Sequence, residues 1–286
     1  WGNILNLILA ILFIKGFWFI EPMGIVGVGY ATLIDRILMM IVMSSYVLRS
    51  RLFKDYIQEF NWLFVRKQQI SSIFKIGAPV AMQYVFEIGA FAVAAIMAGQ
   101  IGALEQASHQ VAITLASMSY MMATGIASAA TIKTGHSFGK KNIQRVGRFA
   151  KISYKLVLAF MIVCALIFTI FNKHLPLLFS DDNAVITISA QLLIIAGLFQ
   201  LFDGTQVVGL GILRGMGDVN IPTIITFIAY WIIGIPMAYF MGIYLNIGIR
   251  GIWYGLTLGL LTSSVLLFFR YRNIISKHRS FNTLSS

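Results

Sequence analysis

Cysteine is almost missing from this chain: Cys164 stands alone in an apolar stretch, so neither a disulfide framework nor a thiolate metal site can be built. Histidine is scarce as well. His109, His136, His174 and His278 are scattered, and no pair has the spacing of metal ligands. Charge is the third shortage, at 11% of the residues where soluble domains carry about 25%, while 58% are hydrophobic. A water-soluble domain is excluded. No nucleophile–base pair falls within the apolar runs, which argues against an enzyme, and no cofactor is expected. The net charge of +12 comes from Lys and Arg lying between those runs rather than on one face, so nucleic acid is not an expected partner. The chain opens at Trp1, inside an apolar run, without an initiator Met or a signal peptide, and further sequence upstream is expected.

What the chain has is length of apolar run. A bilayer core of about 30 Å takes roughly 20 apolar helical residues. Such runs stand at about 3–20, 24–48, 76–99, 107–132, 150–171, 184–213, 219–245 and 248–270. They predict an all-α polytopic membrane protein of about eight transmembrane helices. Alternate connections carry the basic residues. Arg49, Arg51, Lys54, Arg66, Lys67 and Lys75 lie around the second connection, and Lys133, Lys140, Lys141, Arg145, Arg148, Lys151 and Lys155 around the fourth. Arg214 follows the sixth run, and Arg270, Arg272, Lys277 and Arg279 follow the eighth. The positive-inside rule makes that side cytoplasmic, in an inner (plasma) membrane. Between the second and third runs, Leu52, Phe53, Tyr56, Ile57, Phe60, Leu63 and Phe64 recur at helical spacing, predicting an amphipathic surface helix over Arg51–Ile70.

The pattern Gly24, Gly27, Tyr30 returns at one fixed offset as Gly248, Gly251, Tyr254. A parallel repeat of this kind implies a complete six-helix lobe over 76–270. The last two helices of another lobe would then occupy 1–48, with a linker at 49–75 and a cytoplasmic tail at 271–286.

Three acids fall inside the runs: Asp35, Glu87 and Asp203. Each costs about 2.5–3.5 kcal/mol at a helix centre, so an intramembrane acid points first to function. At roughly 1.5 Å per residue, Glu87 lies about 18 Å beyond Lys75 and Asp203 about 16 Å before Arg214. Both are near the midplane, where a transporter's central site belongs. Gln83 and Tyr84 share the helix face of Glu87, and Gln200 and Gln206 flank Asp203, which suggests a water-accessible cavity. Asp35 is a weaker candidate because Arg36 offers it local neutralisation. His109, near the outer end of the fourth run, is the remaining cavity candidate, whereas Tyr120 and Trp231 read as packing.

These stretches resemble a known family. KIGAPVAMQYVFEIGAFAVAAIMAG, from Lys75, is similar to the seventh span of multidrug and toxic compound extrusion (MATE) transporters, and SHQVAITLASMSYMMATGIASAATIKTGHSFGKKN, from Ser108, to the eighth span and its loop. FQLFDGTQVVGLGILRGMGDVNIP, from Phe199, resembles the tenth span, and GIRGIWYGLTLGLL, from Gly248, the twelfth. The resemblance implies twelve helices in two lobes, of which this chain would be the C-terminal two-thirds (spans five to twelve). It also implies antiport by a monomer, with H⁺ or Na⁺ entering and organic, often cationic, small molecules leaving. Glu87 and Asp203 then stand where bacterial members couple to the cation, with Na⁺ a possible ligand of the pair. Those members often carry Tyr four residues before the aspartate; Phe199 lacks that oxygen, which weighs toward protons. A lipid-linked oligosaccharide flippase of the same superfamily is the alternative. It would need several Arg or Lys in its cavity, and only Arg36 lies near the middle of a run.

Single cysteines at Ser50, Ser137 and Ser285 should resist a membrane-impermeant thiol reagent applied to intact cells and react after lysis. Labelling from outside would overturn the orientation.

Overall fold

The computed structural model describes residues 2–16, 21–54 and 67–284. They form two compact units, residues 1–70 and 71–286. In the first, α1 (Gly2–Lys15) packs on α2 (Gly24–Arg49). The second is built from α3 (Lys67–Ile101), α4 (Ala103–Gly139), α5 (Ile143–Ile170), α6 (Asn183–Gly215), α7 (Asn220–Tyr244) and α8 (Ile249–Leu284). All but α1 are long and apolar enough to cross a membrane, and α1 is apolar over its 14 described residues. The protein is all-α and polytopic, as the apolar runs predict.

The helix ends differ from those expected. α3 starts at Lys67, so residues 67–75 extend a span rather than belonging to a linker, and α8 continues through most of the expected tail. Most of the predicted amphipathic helix falls on 55–66, outside the described residues. Ser137 is buried, with its hydroxyl donating to the Lys133 carbonyl, so exposed Lys140 is the better probe of that loop.

The repeated Gly pattern has a structural counterpart. Gly24 and Gly248 both take left-handed backbone, at φ 54° and 74°, where their helices begin. One residue earlier, the Met23 amide donates to the Phe13 carbonyl and the Ile247 amide to the Met241 carbonyl, tying each turn to the preceding helix.

α6 sits at the centre of the second unit. In its most apolar stretch 56% of residues are buried, against 17% in α5, because α4, α5 and α8 all pack on it. Along α6 the core divides into two clusters, one ending at Phe199 and one starting at Val207. Between them come Gln200, Asp203 and Gln206. α4 shows the same break, with Leu115 and Ala116 on one side, Ala123 and Ala127 on the other, and Ser119 and Tyr120 between; α8 shows it at buried Ser263. A polar layer therefore separates the two apolar clusters.

The approach of α4 to α6 is backbone-close. A Cβ on Gly211 would stand 2.6 Å from the Ala127 carbonyl oxygen, and Thr131 Oγ1 donates to the Gly211 carbonyl at 2.9 Å. Gly211→Ala should therefore separate the helices and cost about 1–3 kcal/mol. Gly125→Ala, which meets nothing within 4 Å, should not. Thermal unfolding in detergent would compare them, and equal midpoints would refute the close-packing account.

Candidate functional site

Glu87 projects from the middle of α3 and is 6% exposed; Asp203, in the buried polar stretch of α6, is 4% exposed. Their carboxyls are near enough for their charges to repel. Glu87 has company. The Tyr120 hydroxyl, from α4, donates to it, and the Arg214 guanidinium lies within electrostatic reach. Asp203 has less: its Oδ1 is buried with no hydrogen-bond partner, and so is Gln200 Nε2, one turn earlier on the same helix. An orphan acceptor and an orphan donor one turn apart mark a place where a water could satisfy both, whereas a small cation would satisfy the acceptor alone.

The other predicted residues fall into separate roles. Gln83 is a structural hub, whose Nε2 donates to the Val219 carbonyl at 3.2 Å and to Thr223 Oγ1 at 3.0 Å, while its Oε1 accepts from Arg214 at 3.4 Å. Thr223 Oγ1 lies 2.9 Å from the carbonyl of Pro79, so the proline turn of α3 is held to the start of α7. Tyr84 faces Arg214, whose guanidinium carbon is 5.8 Å from the ring centre. Gln200 Oε1 accepts from Ser119 at 2.8 Å, and Gln206 pairs with Tyr230 at 2.9 Å, in a stretch of α7 wound as π-helix over Ile228–Gly234.

Gln83, Tyr84, Glu87, Tyr120 and Arg214 line one cleft between α3, α4 and α6, with about 40 Å³ of free volume. That holds one or two waters or ions, and no drug-sized molecule. Asp203, Gln200 and Gln206 are not among its walls. His109 lies apart, with its Nδ1 accepting from Trp253 Nε1 at 3.2 Å and the two rings 5.8 Å apart; it joins α4 to α8. Asp35 belongs to the first unit, where it is 3% exposed. Its Oδ1 has no partner, and no ion pair to Arg36 forms among the described residues, so the expected neutralisation is not made.

Two further corrections concern residues that were misplaced. Tyr120, read as packing, touches Glu87. Arg214, read as a loop charge beyond the span, belongs to α6 and reaches back into the cleft with its Nε buried. Arg36 is thus not the only cation within the helices, though one arginine beside an acid is not a cluster. Among the described residues no group of three or more His, Cys, Asp or Glu could hold a metal ion.

A bundle of membrane-length helices with acids buried in a polar layer is that of an integral membrane protein whose buried acids are its candidate functional groups. The family follows from comparison: residues 79–240 match the MatE family model, and the chain belongs to the MatE family. It is 35% identical over 274 residues to the multidrug resistance protein NorM of Aliivibrio fischeri, covering 93% of this chain and 59% of that one. The crystal structure of the eukaryotic MATE transporter AtDTX14 superposes with a TM-score of 0.86 at 19% identity, over 98% of this chain and 62% of that one. A MOP superfamily transporter from Pyrococcus furiosus, described as having a binding pocket of reverse polarity that suggests a different function, superposes at 0.81 and 21%, over 97% and 61%. These two likenesses establish the fold. The chain spans about three-fifths of the length of each of the three.

Gln83→Leu should take the side-chain acceptor from Arg214 and remove the ties from α3 to Val219 and Thr223, and cost about 1–3 kcal/mol. Thermal unfolding that matches the unchanged chain would show that this hub holds nothing together.

Proposed function

We propose that this chain is the C-terminal part of a two-lobe, cation-coupled antiporter that exports organic, often cationic, compounds by alternating access, with Glu87 and Asp203 as the coupling acids. Residues 76–270 form its C-terminal lobe, 1–48 the last helices of the other lobe, and the basic ends of the helices face the cytoplasm of a plasma membrane. The monomer is the transporting unit. The observation that carries this reading is the unequal compensation of two buried acids. Tyr120 and Arg214 attend to Glu87, while Asp203 keeps an unpartnered oxygen in the polar layer.

The chemistry follows from that imbalance. An ionised carboxylate away from water is costly unless a positive charge or a proton neutralises it. A proton, Na⁺ or the cationic end of a substrate can each do so, and only one can at a time. Exchange results if the ion-loaded and substrate-loaded states favour different populations of the inward- and outward-open forms. The oxygens near Asp203 favour the proton: Gln200 Oε1 is occupied by Ser119 and Gln206 by Tyr230, and Phe199 presents a ring packed 5.3 Å from Trp253. Na⁺ would have to share oxygens that already accept a hydrogen bond. The flippase alternative lacks the cationic cluster that a pyrophosphate would need, since Arg214 is alone in its cleft.

In the full-length transporter, Asp203→Asn and Glu87→Gln keep side-chain volume and remove the titrating group. Both variants should insert normally and lose ion-driven efflux of an organic cation from proteoliposomes. Efflux by Asp203→Asn with an unchanged dependence on pH and Na⁺ would remove that residue from the coupling mechanism.

A further inference from the structure

The largest chemical mismatch outside the acid site lies on the outer surface of the second unit. α5, α6 and α8 enclose an open groove with about 660 Å³ of free volume, walled by side chains such as Leu158, Phe202, Val265 and Phe269. Two of its walls are charged. Lys151 and Lys155 line the groove on the same face of α5 as Tyr154 and Leu158, at the i, i+3, i+4, i+7 spacing of one helix stripe. Arg272 stands at the same end, its guanidinium carbon 6.0 Å from the centre of the Phe268 ring. No carboxylate pairs with any of the three among the described residues, where the ion pair formed is Arg270 to Asp218.

The aromatic side chains fix how this end sits in the bilayer. Tyr154 packs 5.9 Å from Phe268 and 6.4 Å from Tyr271, making an aromatic collar beside the cations, as at headgroup level. From there the groove runs along α8 back to Leu261, about 15 Å at helical rise, which is half a hydrocarbon core. An apolar slot one leaflet deep, with three unpaired cations at its headgroup end, has the shape and charge of one class of molecule. We infer that this groove is a specific site for a phospholipid with an anionic headgroup, its phosphate between Lys151, Lys155 and Arg272 and one acyl chain along the wall formed by Phe202, Val265 and Phe269. A zwitterionic phospholipid fills the same slot but brings its own cation, and a free phosphate has no use for the apolar wall. The inference does not depend on which ion or substrate the transporter carries.

Native mass spectrometry of the purified chain, offered phosphatidylglycerol or phosphatidylcholine with identical acyl chains, reads the site directly. The unchanged chain should retain one phosphatidylglycerol in preference to phosphatidylcholine. Lys151→Gln with Lys155→Gln should weaken that retention roughly ten-fold or more. Lys140→Gln, an exposed cation on the loop before α5, should leave it unchanged. Val265→Trp fills the slot at a position already 42% exposed, leaving the core and all three cations alone, and should also expel the lipid. Equal retention of the two lipids, an equal loss with Lys140→Gln, or full retention with Val265→Trp would each overturn the proposal.

Discussion

Everything in the second unit is arranged around the cost of keeping two carboxyl groups away from water. Removing an ionised acid from solvent without a partner is among the most expensive acts a fold can perform, and here it is performed twice in one layer. The bundle meets that cost on one side only, through the Tyr120 hydroxyl and the nearby Arg214 at Glu87. At Asp203 an orphan oxygen remains. Such an imbalance is poor design for stability, and on the proposed reading it serves a site that must be filled and emptied.

The packing explains how the layer is held in place. Two apolar clusters lie on either side of it, and α6 passes through both. The polar side chains are therefore fixed from both ends by close-packed helices, including the backbone contact at Gly211. Within the layer most groups are spoken for: Ser119 by Gln200, Tyr230 by Gln206, and the start of α7 by Gln83. The groups left unpaired stand out because the rest are satisfied.

The basic residues divide their work by depth. Those at helix ends bias orientation, as their alternation along the chain suggests. Lys151 and Lys155 line a largely apolar groove, and Arg214 turns inward to the acid cleft. One type of side chain thus stands at helix ends, beside an apolar groove or in a buried cleft, and the helix position and face decide which.

The sequence alone determined the all-α polytopic class and nearly every span, since length of apolar run is a local property that needs no partner. The repeat of Gly24 and Gly248 was also legible, because a left-handed turn demands glycine in the sequence itself. Which polar groups are paired was not legible. Gln83 and Tyr84 share a face with Glu87, yet only the fold makes the first a hub for α7 and sets the second against Arg214. Arg214 looked like a loop charge because hydropathy sees a boundary and cannot see a long side chain bending back across it. Tyr120 looked like packing because its partner comes from another helix, and His109 looked like a cavity residue until Trp253 occupied its acceptor. Hydrogen-bond satisfaction is a property of pairs brought together from distant parts of the chain, so only the tertiary structure could decide it.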